Sequence, residues 1–342
     1  MSATLRIVSA GPGATIQDSG RHGLLRFGVT GAGPMDPAAH ATANIAAGVA
    51  PASAALEVSL GGIELEVEGD QLVIAVAGGS FVVMADGTAL AHPCVLTLEP
   101  GVRLSVRAGE SGAWTYVAIG GHIDVPPVLG SVSTHTRSGL GGLDGRALMA
   151  GDALTVRSPS HRDRPPATFE APWLDRPGDV VRVVLGPQDD YFAADQIEAF
   201  LNGPWTLTTR SDRMAYMLEG PKLAHAKGFN IVSDGIPMGA IQVPGSGKPI
   251  VLMADRQPTG GYPKIATVIG ADLGPLAQLR PGARFRFEAV SIEVAVAARR
   301  QLWHAVAQPL PLRPIVRTEF PSDFLLGTNL IGGIVDAGHD DV

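Results

Sequence analysis

The densest chemistry in the chain lies in one short run, Ala254-Asp-Arg-Gln-Pro-Thr-Gly-Gly-Tyr-Pro-Lys264. It holds an acid (Asp255), two bases (Arg256 and Lys264), an amide (Gln257), a hydroxyl (Thr259) and a phenol (Tyr262) within ten residues. The apolar segment Ile250 to Met253 precedes it and another strand-like run begins at Lys264. It therefore reads as a loop hung between two strands, a place where sites concentrate. The pair Gly260 and Gly261 lets backbone approach a ligand closely. The plain alternative is an ordinary polar hairpin loop.

Three further clusters stand out. Arg210-Ser-Asp-Arg213 brings two guanidinium groups together with an Asp able to orient one of them. A guanidinium fork grips a carboxylate at two points, so this is a candidate carboxylate clamp; a surface ion-pair network is the alternative. Thr15-Ile-Gln-Asp-Ser-Gly-Arg-His-Gly23 reads either as a presenting loop or as a structural Asx-type turn. Gly33-Pro-Met-Asp36 opens a helix whose free N–H groups could receive an anion, or be capped simply by Asp36.

Familiar signatures fail. Gly245-Ser-Gly-Lys248 lacks the first Gly and the final Ser or Thr of a phosphate-binding loop, and a strand follows instead of a helix. Gly11-Pro-Gly13 and Gly31-Ala-Gly33 lack the third Gly of a dinucleotide fingerprint. No Gly-x-Ser-x-Gly elbow occurs, and the nine His show no zinc spacing. No metal is expected. No Met-Lys-Met occurs, so the chain carries no biotinyl lysine of its own. The lone cysteine, Cys94, sits in an apolar run and reads as a buried, inert thiol.

The elements that must position these groups follow from 342 residues, a length that suggests two domains. Gly (43) and Pro (27) are abundant, while charged residues make only 17% against a typical ~25%. Many turn-formers among apolar runs lean towards β structure. The formal charge of -7 gives no general attraction to nucleic acid. No targeting sequence and no spanning segment is read, so a cytoplasmic protein is expected.

Ile63 to Glu68, Val102 to Arg107 and Arg284 to Glu288 alternate apolar and charged residues, the period of a strand with one wet face. Thr115 to Ile119 and Val180 to Leu185 read as fully buried strands. Helices are expected from Asp36 to Ala47, Asp189 to Leu201 and Ile292 to Val306, with a short turn near Leu273 to Leu279. The two halves run through similar series of Gly-Pro turns and strands. The expected fold is mainly β: two tandem β-barrel lobes with a few short helices. The polar, Pro-rich run Ser158 to Ala167 is the natural linker. It divides an N-terminal lobe (1–164) from a C-terminal lobe (165–307), and an extension (308–342) is expected to dock on both.

The loop Ala254 to Lys264 resembles the family called allophanate hydrolase subunit 2, also known as the C subunit of 5-oxoprolinase and as the antagonist of a sporulation-kinase inhibitor. Gln17-Asp-Ser-Gly-Arg-His-Gly23, Gly33-Pro-Met-Asp36, Arg137-Ser-Gly-Leu-Gly-Gly-Leu-Asp-Gly-Arg146, Arg210-Ser-Asp-Arg-Met214 and Gly239-Ala-Ile-Gln-Val-Pro-Gly245 carry the same resemblance in the same order. It implies two cyclophilin-like β-barrels in a carboxyltransferase-like protein. It implies a B-type partner (allophanate hydrolase subunit 1-like), and a third, LamB/YcsF-like subunit, in a complex that opens 5-oxo-L-proline to L-glutamate with ATP. ATP is then used by the complex, and no cofactor is expected on this chain. One alternative is the carboxyltransferase component of a biotin-dependent urea carboxylase, with biotin on another chain. Another is a non-catalytic regulator that binds a kinase-inhibitor-like partner.

Lactam opening and carboxyl transfer make similar demands: fixed donors for a carbonyl oxygen, a cation for a carboxylate and a proton near nitrogen. On residue type, Lys264 or Tyr262 supplies the proton or the oxyanion contact. Arg256 or Arg213, with Arg210 beside it, holds a carboxylate. Gln257 and Thr259 orient the substrate, and Asp255 orients Arg256.

Overall fold

The computed structural model describes residues 2–160 and 165–315. The linker residues 161–164 and the apolar tail segment Asn329 to Asp336 lie outside the described residues. The described chain is mainly β with four short helices, as the sequence pattern leads one to expect.

The first lobe is built from two seven-stranded sheets. The strand Ile63–Gly69 shows why. Ile63, Leu65 and Val67 point inward, and Glu64, Glu66 and Glu68 face water. The strands on either side return the charge: Arg6 Nε lies 2.6 Å from Glu68, and Arg103 Nε 3.2 Å from Glu66. Such exposed pairs contribute little to stability, so the inward face fixes the register. Leu5, Ile7, Leu65 and Val106 of one sheet meet Leu56, Ile74, Leu96 and Val117 of the other in a single core. Cys94 belongs to it, and burial pushes its thiol up to about 12, so it stays protonated.

Leu72–Ala77 and Thr115–Ile119 are buried on both faces, because helix α1 (Pro37–Ala47) covers the second face. Asp36 caps α1 by accepting from the Ala39 N–H at 3.1 Å, Pro37 opens it, and Gly48 ends it with a left-handed φ of 80°. Its small side chains, Ala39, Ala43, Ala46 and Ala47, let the helix lie close on the sheet. The strand Ala167–Phe169, just past the expected lobe boundary, pairs with Cys94 and Val95 of this lobe. On its other edge it pairs with Leu312–Pro314. The described start of the C-terminal extension therefore lies on the first lobe.

The second lobe is a closed seven-stranded barrel, sealed by a parallel pairing of Val180–Leu185 with Arg284–Ala289. Trp205, Phe200, Phe285 and Phe287 fill it; Phe200 and Phe287 stack at 4.6 Å, and Trp205 Nε1 donates to the Phe200 carbonyl at 2.8 Å. Val180–Leu185 is not buried throughout: Val181 and Val183 point into the barrel, and the intervening residues are only partly covered. Nor is the segment from Asp189 one helix. A single 3-10 turn, Asp189–Tyr191, is followed by extended Phe192 before helix α2 (Ala194–Asn202) begins. Helix α3 (Leu273–Ala277) and helix α4 (Ile292–Val306), the latter capped by Ser291, complete the lobe.

The lobes share more than a surface. Met35, Ala113 and Trp114 of the first pack into the core of the second. Gln278, at the end of α3, uses its whole amide across the junction. Its Oε1 accepts from the Ala113 and Trp114 N–H groups at 2.9 and 3.1 Å, and its Nε2 donates to Asp36 Oδ2 and the Trp114 carbonyl, both at 3.0 Å. Arg280 adds bonds to the carbonyls of Gly109 and Gly112. Replacing the amide by a thioether removes all four of these bonds at once. Gln278→Met is therefore expected to lower the urea unfolding free energy by about 2–4 kcal/mol; a loss of a few tenths would show that the junction does not depend on this amide.

Candidate functional site

The loop from Ala254 to Lys264 does not gather its side chains at one point. It splits them between two places. Asp255 turns to the junction of the lobes, where a cleft of about 750 Å³ is lined by both, including His135, Arg137 and Arg146 from the first and Arg213, Met214 and Tyr216 from the second. Lys264, Gln257 and Arg256 are not among its lining residues.

Arg213 organises the cleft floor. It sits in the turn before the strand Ala215–Glu219, where Asp212 accepts from the Met214 and Ala215 N–H groups at 2.8 and 3.1 Å and fixes the turn. The guanidinium grips Asp255 at two points, Nε to Oδ2 at 2.9 Å and Nη2 to Oδ1 at 2.7 Å. It then crosses to the first lobe, donating to the Gly33 carbonyl at 2.8 Å and to Glu57 Oε1. Glu57 is fully buried, and its Oε2 accepts from the Met35 N–H at 2.7 Å and from the Tyr116 hydroxyl at 2.8 Å. That hydroxyl accepts in turn from the Asp36 N–H at 2.8 Å.

Burial alone would depress the Arg213 guanidinium, but Asp255 and Glu57 outweigh it and hold Arg213 above its ordinary value. Glu57 is pushed up by burial, and Arg213, the Met35 N–H and Tyr116 only partly offset this. The guanidinium thus serves two carboxylates, of which Glu57 is the more deeply buried. It sits inside the buried strand Ala55–Val58 and is absent from the residues singled out by sequence. Its signal was a single charge between Leu56 and Val58.

Most of the other motifs on this side are engaged in hydrogen bonds within the first lobe. Asp18 accepts from the Ser131 and Ser133 hydroxyls at 2.5 and 2.6 Å and from the Gly20 and Val132 N–H groups; these bonds outweigh burial and hold its carboxyl below the usual range. Gln17 ties Thr15 and the Thr134 carbonyl to the Gly33 N–H. Arg146 is gripped by Asp152 at 2.8 Å through both nitrogens. Arg137 is exposed at the cleft and, among the described residues, forms no salt bridge; its Nη1 lies 2.9 Å from Met214 Sδ. His135 donates from Nε2 to the Asp255 carbonyl at 3.4 Å, and its buried Nδ1 has no partner.

Arg210 is exposed and outside the ionic cluster. Asp255 does not orient Arg256 as expected, because Arg213 claims both its oxygens. Arg256 is buried and donates to the Ile236 carbonyl at 2.8 Å; burial pulls its guanidinium down to about 10. Lys264 is 1% exposed, and its Nζ donates to Asp234 Oδ2 at 2.8 Å. Thr259 lies on the short strand Thr259–Gly260, paired with Asp234–Gly235, while Tyr262 is exposed beside it. Gln257 is partly buried, and its Oε1 has no partner. Among the described residues no group of three His, Cys, Asp or Glu could hold a metal ion, and no helix is long and apolar enough to cross a membrane.

The carboxyltransferase domain family, subdomains A and B, matches residues 27–289. The chain belongs to this family. It is 38% identical over 298 residues to the C subunit of 5-oxoprolinase from Escherichia coli (strain K12), covering 86% of this chain and 94% of that protein. It is 40% identical over 288 residues to the C subunit of 5-oxoprolinase from Haemophilus influenzae, covering 84% and 92%. The crystal structure of the K. lactis urea amidolyase superposes with a TM-score of 0.82 at 30% identity, over 89% of this chain and 20% of that one. The resemblance carried by the sequence motifs and these relationships agree.

Removing Arg213 leaves Glu57 buried without its cation. Arg213→Met is expected to cost about 3–5 kcal/mol in chemical unfolding at neutral pH. Glu57, already raised by burial, is then raised further, so the folded state binds more protons than the unfolded one and stability recovers as pH falls. The deficit should shrink as the pH is lowered from neutrality; a deficit that stays flat or grows towards acid contradicts the assignment.

Proposed function

We propose that this chain is the C subunit of a cytoplasmic 5-oxoprolinase, a complex that hydrolyses the ring amide of 5-oxo-L-proline to L-glutamate with ATP. In this reading a B-type partner and a third, LamB/YcsF-like protein complete the enzyme, and this chain is inactive alone. The supporting observation is the near end-to-end match with two relatives named as the C subunit of 5-oxoprolinase, whose length it covers to 94% and 92%. The urea amidolyase likeness spans a fifth of that longer protein.

The geometry suits amide chemistry. Opening the ring breaks a C–N bond, places negative charge on the carbonyl oxygen and delivers a proton to the nitrogen; the substrate also brings a carboxylate. One loop anchors two buried cations, Arg213 through Asp255 and Lys264 as its own last residue. Lys264, held by a half-exposed Asp234, supplies positive charge at low solvent exposure, where it acts most strongly, while Arg213, held by two carboxylates, fixes the cleft floor. The exposed Tyr262 stands beside Lys264 in sequence as a proton donor. Gly245 to Lys248 leads into the strand Ile250–Leu252, and ATP is assigned to a partner.

A second reading, carboxyl transfer from biotin held on another chain, draws on the likeness to urea amidolyase. The complex reconstituted from its subunits decides between them. With ATP and 5-oxoproline it is expected to release glutamate, and Lys264→Met or Arg213→Met is expected to lower kcat/KM by about 100-fold or more. No glutamate from the intact complex, or full activity in both variants, overturns the proposal.

A further inference from the structure

The ammonium of Lys264 is sealed, yet the carboxylate that holds it is not. Lys264 is 1% exposed, whereas the Asp234 side chain is 53% exposed. Asp234 stands on a two-residue strand, Asp234–Gly235, which among the described residues pairs with Thr259–Gly260 and is preceded by an exposed loop that includes Phe229 and Val232. This small ribbon roofs Lys264 without belonging to the barrel.

One amide side chain beneath it is unsatisfied, and so is a second in the loop that leads into it. Gln242, the register partner of Lys264 in the neighbouring strand, is 3% exposed, and its Nε2 has no hydrogen-bond partner. A Cβ at Gly260 would lie 2.6 Å from that nitrogen, so the ribbon's glycine rests directly on it. Gln257, three residues before Gly260, has a buried Oε1 that is equally unpartnered. Buried polar groups are almost always hydrogen-bonded, and leaving one unmade is costly. Here a donor beneath the ribbon and an acceptor in the loop that leads into it are both left open.

We propose that Lys264, Gln242 and Gln257 form the recognition pocket for a ring amide bearing a carboxylate, with Asp234 standing in the carboxylate's place until the ligand displaces it. The ring carbonyl accepts from Gln242 Nε2, the ring N–H donates to Gln257 Oε1, and the ligand carboxylate takes Lys264 from Asp234 as the ribbon lifts. Arg213 cannot take this role, since Glu57 and Asp255 already occupy it. Naming 5-oxoproline as the ligand rests on the 5-oxoprolinase reading. The same open donor and acceptor would suit the cyclic urea of biotin, whose carboxylate sits on a long chain.

Calorimetric titration of the full chain with 5-oxo-L-proline, L-proline and free biotin, alongside KM in the reconstituted complex, tests this. Binding of 5-oxoproline but not of proline, which lacks the ring carbonyl, is expected. Gln242→Leu, close to the same shape, should weaken binding about tenfold or more. Asp234→Asn should tighten it about 3- to 10-fold by removing the competing carboxylate, a gain that a merely structural Asp234 would not produce. No binding of any of the three ligands, wild-type affinity in Gln242→Leu, or no gain in Asp234→Asn overturns the pocket. A complex that hydrolyses 5-oxoproline with unchanged KM in Gln242→Leu overturns the pocket and leaves the 5-oxoprolinase reading standing. Biotin binding in place of 5-oxoproline, with the same sensitivity to Gln242→Leu, supports the pocket and overturns that reading.

Discussion

One guanidinium carries the organisation of this molecule. Arg213 leaves the second lobe, binds both oxygens of Asp255 and ends on Glu57 and the Gly33 carbonyl in the first. A buried ion pair is a poor source of net stability, because desolvation offsets most of the attraction. It is a good source of uniqueness. Once Glu57 is placed in an apolar strand, only one relative position of the lobes gives it a cation. That position also forms the cleft and sets where the loop after Asp255 begins.

The rest of the junction is consistent with that constraint. Gln278 satisfies the N–H groups of the buried Ala113 and Trp114, and Arg280 binds the carbonyls of Gly109 and Gly112 in the same turn. Gly274 has no side chain because one would strike Asp36, with a Cβ only 2.6 Å from Oδ1. Asp36 in turn caps α1, the helix that buries the second face of the first lobe. Cap, junction and cleft floor thus share residues. The loop from Asp255 to Lys264 leaves this floor at one end and reaches the two-stranded ribbon over Lys264 at the other, so it joins the cleft to the buried lysine.

Much of the fold was legible in the sequence because local rules decide it. The acid-apolar alternation of Ile63 to Glu68 needs only a wet face and a dry one, and Asp36-Pro37 with Gly48 marks a helix at both ends. Val180 to Leu185 misled because a run of Val and Leu looks the same whether one face or both are covered, and only tertiary placement decides which. The site was legible as a loop but not as a pairing. Adjacency suggested that Asp255 serves Arg256, whereas a guanidinium from another turn reaches it first. Glu57 and Asp234, the carboxylates that hold Arg213 and Lys264, lie 156 and 30 residues from their partners. No spacing rule spans such distances.

The central claim is that Glu57 and Arg213 act as a unit across the lobes, and a double-mutant cycle addresses it directly. Unfolding free energies of the wild type, Glu57→Gln, Arg213→Met and the combined variant, taken at neutral pH, give the coupling between the two side chains. Groups in one buried network couple by about 0.5–3 kcal/mol. A value in the upper half of that range is predicted, with the double variant more stable than Arg213→Met alone, because Glu57 no longer lies buried without a cation. Strictly additive losses would contradict the account.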